Sequence, residues 1–186
     1  MLDLDTASPS DPEDIMHIEH MPKTIGRFRC LIFPMGAKLE NWRRDPKTGL
    51  MLPDVPPEFD SGWCGNLVVT TGKVLTQKQV FGLTSTAVDR TGVGDSNAAP
   101  AVGQTGLQGG STAFQVFDGG FPTIAGAVIS TQSTYAGGAT AFQWLEAGMF
   151  AGPGNGPTNM LDRVTGFGDP TPGGATAIAA WTYTQL

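Results

Sequence analysis

Glycine and proline interrupt this chain so often that no long helix can run through it. Of 186 residues, 26 are Gly and 14 are Pro, and inside a helix they cost about 1 and about 3 kcal/mol each relative to Ala. Thr, at 21 positions, adds a β-branched side chain whose rotamer freedom a helix removes. No heptad pattern is sustained, so helical bundles and coiled coils are excluded. A mainly β chain remains: short strands between turns, packed as an antiparallel β-sandwich with one short helix and an extended N-terminal arm.

β-favouring, turn-bounded runs place strands at 27–34, 66–70, 87–93, 112–118, 123–131, 140–148, 159–164 and 175–184. The last alternates best, with Ala177, Ala179, Trp181 and Tyr183 on one face and Ile178, Ala180, Thr182 and Thr184 on the other. Neither face carries a charge, so one is expected against the core and the other against a neighbouring subunit. TGKVLTQKQVFG at 71–82 is the helix, with Thr71 as cap, Val74, Leu75 and Phe81 on one face, and Gly82 as terminator. TAFQVF at 112–117 and TAFQWL at 140–145 echo one another and are expected to meet through Phe114 and Phe142. Residues 1–25 form the arm, and 26–186 the sandwich domain, with a Pro-rich insertion at about 35–62. One core suffices for a chain this long.

Charge excludes several partners. The net charge of -6 argues against a nucleic-acid groove, which needs Lys and Arg to neutralise phosphates. No stretch approaches the roughly 18 apolar residues of a membrane span, and the first residues lack the layout of a secretory signal, so no membrane partner is expected. Residues 61–186 hold 4 basic and 6 acidic residues, ten charges in 126 positions. A solvated surface ordinarily carries far more, so the expectation is that other protein chains cover much of it. Two cysteines, Cys30 and Cys64, are too few for a disulfide scaffold and read as free thiols in a reducing compartment.

No motif assigns a catalytic residue, metal or cofactor. Gly92 and Gly94 before DSNAAP lack the third Gly of a dinucleotide fingerprint and read as a tight turn. His17 and His20 stand beside Asp14 and Glu19, but zinc sites take three or four protein ligands and this pair reads as part of the arm. The carboxylates after residue 60 are Asp89, Asp95, Asp118, Glu146, Asp162 and Asp169, mostly in turn contexts. Glu146 is the exception. It follows Phe142, Trp144 and Leu145 inside an apolar strand, and Arg163 on the next strand is its expected partner, because an unpaired buried charge costs several kcal/mol.

NLVVTTGK at 66–73, TGVGDSNAAPAVGQTGL at 91–107, WLEAGMF at 144–150, MLDRV at 160–164 and the terminal AAWTYTQL follow one another over about 120 residues. In that order and spacing the C-terminal two thirds resembles a family of tailed-bacteriophage virion structural proteins, often described as tail-fibre-like. The arm and the insertion depart from that family's compact pattern. The resemblance implies a non-enzymatic subunit, assembled in the host cytoplasm into the virion. It would pack as a symmetric homo-oligomer with portal, tail or capsid subunits in the tail or head-to-tail region. Ile15, Ile18 and Met21 on the arm and Trp42, Trp63, Trp181 and Tyr183 on the domain are the expected interface residues. A capsid decoration protein is the alternative. A carbohydrate-binding module is a second, and it would need Trp42 or Trp63 open beside Asp45 or Asp60.

Overall fold

A computed structural model describes residues 24–137, 140–152, 154–155 and 159–185. The chain is mainly β, with thirteen strands in antiparallel sheets and one helix among the described residues. Strand β1 (Thr24–Ile32) begins inside the expected arm and leads into a small hairpin, β2 (Arg43–Arg44) and β3 (Met51–Leu52). Short strands β4 (Phe59–Asp60), β5 (Cys64–Gly65) and β6 (Leu67–Val68) precede helix α1 (Thr70–Val80). Then come β7 (Arg90–Gly94), β8 (Thr112–Val116), β9 (Thr123–Ala125), β10 (Val128–Tyr135), β11 (Glu146–Phe150), β12 (Met160–Thr165) and β13 (Ala177–Gln185).

Two sheets face one another without closing into a barrel. Sheet 1 runs β4-β1-β13-β10-β9, with β5 also on β1, and sheet 2 runs β6-β12-β11-β7-β8. Alternation on β13 sets the core. Ala177, Ala179 and Trp181 turn inward with Phe28 and Cys30 of β1 and meet Val93, Ala147, Met149 and Val164 of sheet 2. The Trp181 indole N–H donates to Thr91 Oγ1 at 3.1 Å, so its polar atom is satisfied inside the core.

The opposite face of β13 corrects an expectation. Ile178 and Ala180 are covered by this chain's own insertion, through Leu50 with Leu39, Trp42 and Leu52. Met51 N–H donates to Gln132 Oε1 at 2.9 Å and Ser130 Oγ to the Thr48 carbonyl at 2.6 Å, fixing that layer to β10. The outer face of sheet 2 is covered likewise. Leu107, from the segment at 95–111, packs with Val69, Phe150 and Met160. Part of the shielding expected from other chains is therefore internal.

Several local expectations are also revised. Gly92 and Gly94 lie within β7, not in a turn. A Cβ on Gly92 would stand 2.6 Å from Phe114 Cε1, and one on Gly94 2.5 Å from Glu146 Oε1. These glycines make room for the rings and the carboxylate on the outer face. The strand expected at 123–131 is a hairpin, β9 and β10, turning at Gly126 with φ 59°. Phe114 meets Phe150 edge-on at 5.1 Å, whereas Phe142 is half-buried and packs against the core between the sheets. Helix α1 has no side-chain cap, and the Thr71 hydroxyl donates to the Met160 carbonyl instead. Gly82 does terminate the helix: its N–H reaches the Gln79 carbonyl and that of Leu83 the Lys78 carbonyl, a Schellman closure.

Gly72 lets α1 touch β12. A Cβ there would fall 1.9 Å from the Leu161 carbonyl oxygen. Gly→Ala in a helix normally stabilises by about 1 kcal/mol, but here the helix would have to lift off the sheet. Gly72→Ala is expected to destabilise by about 1–3 kcal/mol, and an unchanged or raised urea midpoint would contradict the contact.

Candidate assembly surface

Glu146 and Arg163 meet in the middle of sheet 2. Both side chains are fully buried, and Arg163 Nε donates to Glu146 Oε2 at 2.6 Å. The carboxylate also accepts the backbone N–H of Gln108 at 2.9 Å and of Gly109 at 2.6 Å. Arg163 Nη1 donates to the Ala98 carbonyl at 2.7 Å and to Gln104 Oε1 at 3.0 Å. The ion pair thus staples the segment at 95–111 across the sheet, and Asn155 adds a clamp by exchanging hydrogen bonds with Leu107 N–H and C=O.

Asp162 sits on the opposite face of β12, and sequence reasoning missed it. Its carboxyl is fully buried, and burial pushes its pKa up to about 7, against hydrogen bonds from Met149 N–H and Asn66 Nδ2 that pull it down. Asn66 Nδ2 also donates to the Tyr183 hydroxyl at 2.9 Å. Neighbouring residues on a strand face opposite ways. Once Arg163 joins Glu146 outside, Asp162 must point inward, and that was the available signal.

Most of the other carboxylates are occupied locally. Asp89 pairs with Arg90 at 2.8 Å, Asp95 accepts the Ser111 N–H, and Asp118 accepts from Gln132 and Thr134. Hydrogen bonds from Arg90 and from the Ser111 backbone hold Asp89 and Asp95 below the usual carboxylate range. These are structural fasteners.

The expected interface residues fall in different places. Trp181 is fully buried in the core and presents no outer surface, a correction, because its alternation places it inward. Tyr183 is half-buried beside Asn66. Trp42 and Trp63 are half-buried against the outer face of sheet 1. The Trp42 indole N–H is bonded to the Leu39 carbonyl, and the Arg29 guanidinium lies 5.8 Å from the Trp63 ring. Asp60 is taken by Arg29 at 2.5 Å and Asp45 by Thr48 and Lys47, so the open tryptophan-carboxylate pairing of a glycan platform is not formed. Ile15, Ile18, Met21, His17 and His20 lie outside the described residues. Cys30 is buried and Cys64 half-buried, both as free thiols, and burial raises both pKa values.

Two surface features stand out. Three of the ten charges after residue 60, Glu146, Asp162 and Arg163, are buried, which leaves seven for the exterior. Between Ser96 and Leu145 the only charged residue is Asp118, and this stretch supplies β8 and β9, the terminal strands of the two sheets, with the end of β8 tied to β10 where Asp118 N–H donates to the Gln132 carbonyl at 2.8 Å. Val116 on β8 and Ile124 on β9 are exposed there, Ile124 at 74%. That uncharged run was visible in the sequence, but its place at two edges was not. The second feature lies beside α1. A cleft of about 370 Å³ lined by Thr70, Thr71, Val74, Lys78, Leu83 and Asn159 opens next to an apolar ridge. Val80, Phe81 and Leu83 on that ridge are each about three quarters exposed.

No family model, curated protein or solved structure matches this chain.

Proposed function

We propose that this protein is a non-enzymatic structural subunit of a tailed-bacteriophage virion, packing with copies of itself and with other virion proteins in the tail or head-to-tail region. The supporting observation is the uncharged double edge. Natural sheets blunt free edges with Lys, Pro or bulges, because unpaired N–H and C=O groups recruit other strands. Strand β8, read TAFQV, has none of these and carries Val116 outward. The particular setting rests on the resemblance of the ordered sequence segments to those of virion structural proteins.

Sedimentation velocity over a concentration series tests the association. The native protein is expected to form discrete oligomers, and Val116→Lys with Ile124→Lys to weaken them by about tenfold or more, since charges placed on an edge block pairing. A native protein that stays monomeric at every concentration would remove the physical support for this reading.

A further inference from the structure

We infer that copies of this chain meet head to tail, the apolar ridge at the end of α1 in one copy seating in a recess on the outer face of sheet 1 in the next. The inference rests on the assembly reading above and names a contact distinct from the sheet edges. Four of the nine large apolar side chains exposed among the described residues, Val74, Val80, Phe81 and Leu83, fall between residues 74 and 83. A concentration of that kind marks an interaction surface, whereas scattered exposed side chains do not. The Schellman closure at Gly82, with φ 66°, holds Phe81 and Leu83 in fixed places.

The recess offers the matching shape. It encloses about 320 Å³ over Leu31 and Phe33, with Leu52, Pro53 and Val55 along its wall. An aromatic anchor such as Phe81 contributes most to binding when it fills a pocket of this sort. Pro53, Pro56 and Pro57 fix φ along the rim, so little freedom is lost when the recess is filled. The charges match as well. From Ser61 to Val88 the only charged residues are Lys73 and Lys78, both exposed on α1. In the recess Arg29 is engaged by Asp60 at 2.5 Å, which leaves the exposed Asp54 on the wall, and the exposed Glu58 directly follows the lining residue Pro57. Arg43 and Arg44 line the adjoining recess, where Asp45 and Asp54 accompany them.

Ridge and recess are unlike surfaces carried by different sheets. Helix α1 follows β6 and touches β12 of sheet 2, whereas Leu31 lies on β1 of sheet 1. A contact between unlike surfaces is heterologous, and its repetition closes a ring or extends a filament.

Complementation tests it in full-length protein carrying Val116→Lys and Ile124→Lys, so that edge association does not contribute. In that background Phe81→Asp with Leu83→Asp disables the ridge, and Asp54→Lys with Val55→Lys disables the recess. By sedimentation velocity each variant alone is expected to associate about tenfold or more weakly than the background protein. Mixed in equal amounts, they are expected to form a dimer with one copy of each at the background affinity, because one intact ridge and one intact recess remain to meet. A background protein that stays monomeric, a variant that associates undiminished on its own, or a mixture that sediments as its separate components would each overturn the inference. Crosslinking reads the same contact without charge changes: Leu83→Cys and Val55→Cys in otherwise native Cys64→Ser protein are expected to yield a disulfide between positions 83 and 55 of different chains, and its absence would overturn the inference too. Complementation that succeeds although Val116→Lys and Ile124→Lys leave association of the native protein unchanged would refute the edge contact alone.

Discussion

Replacing Glu146 with Ala is expected to lower the unfolding free energy by about 3–5 kcal/mol, a drop of roughly 10 °C or more in thermal midpoint for a chain of this size. The reason is the asymmetry of a buried pair. Arg163 is fully buried, so removing its carboxylate leaves an uncompensated guanidinium in low dielectric. The N–H groups of Gln108 and Gly109 lose their acceptor in the same step, and the segment at 95–111 loses its anchor on sheet 2. Exchanging both charges, Glu146→Met with Arg163→Leu, is expected to recover the part of the loss that comes from the unpaired cation, because two apolar side chains carry no desolvation penalty, while Gln108 and Gly109 N–H remain without their acceptor. Urea denaturation of the single and double variants measures both. A loss under about 1 kcal/mol for Glu146→Ala, the size typical of an exposed pair, would mean that water reaches Arg163.

Stability is expected to fall between about pH 4 and pH 7 on account of Asp162. Its folded pKa of about 7 stands above the ordinary aspartate value of 3.8, so the folded state holds a proton that the unfolded state has released. The favourable contribution is complete below about pH 4, declines as pH rises, and is gone above about pH 7, a swing of up to about 4 kcal/mol. Asp45, Asp60, Asp89 and Asp95 are shifted the other way by hydrogen bonds and partners. Their contributions are lost only as pH falls below the ordinary carboxylate range, outside the window that Asp162 governs. Asp162→Asn removes the titration while keeping an acceptor for Met149 N–H. The buried Asn66 Oδ1, which has no partner, can turn to accept from the new amide. The variant is expected to be more stable than the native protein at pH 8 by about 1–3 kcal/mol and to approach it at pH 5. Urea midpoints at the two pH values provide the check, and parallel curves for the two proteins would show that Asp162 is ionised in the fold.

What could be read from one dimension was whatever a strand's own alternation dictates. Ala177, Ala179 and Trp181 declared an inward face because period two leaves no other arrangement. Glu146 declared a need for a cation because an acid amid Trp144, Leu145 and Met149 has no water. Gly92 and Gly94 misled, since glycines before Asp and Asn carry turn chemistry. Only the neighbouring Phe114, Phe150 and Glu146, brought alongside by β8 and β11, explain why a strand needs them. Coverage of Ile178 and Ala180 was equally hidden, because Leu50 and Trp42 lie more than 120 residues away and nothing local links them. The edge positions of β8 and β9 follow from strand order, which composition does not encode.

Strand β13 has one further consequence. It lies between β1 and β10, so the first and last described strands are direct neighbours in register from Thr24 with Gln185 to Ile32 with Ala177. During translation β1 leaves the ribosome well before β13, and this pairing waits until residues 33–176 have been made. Phe28 and Cys30 lack their cross-strand neighbours Trp181 and Ala179 until β13 emerges. Such sequence-distant closure slows folding and leaves the nascent chain open to aggregation. A message truncated before the codon for Ala177 would therefore yield a product unable to complete its central sheet and prone to clearance by chaperones and proteases.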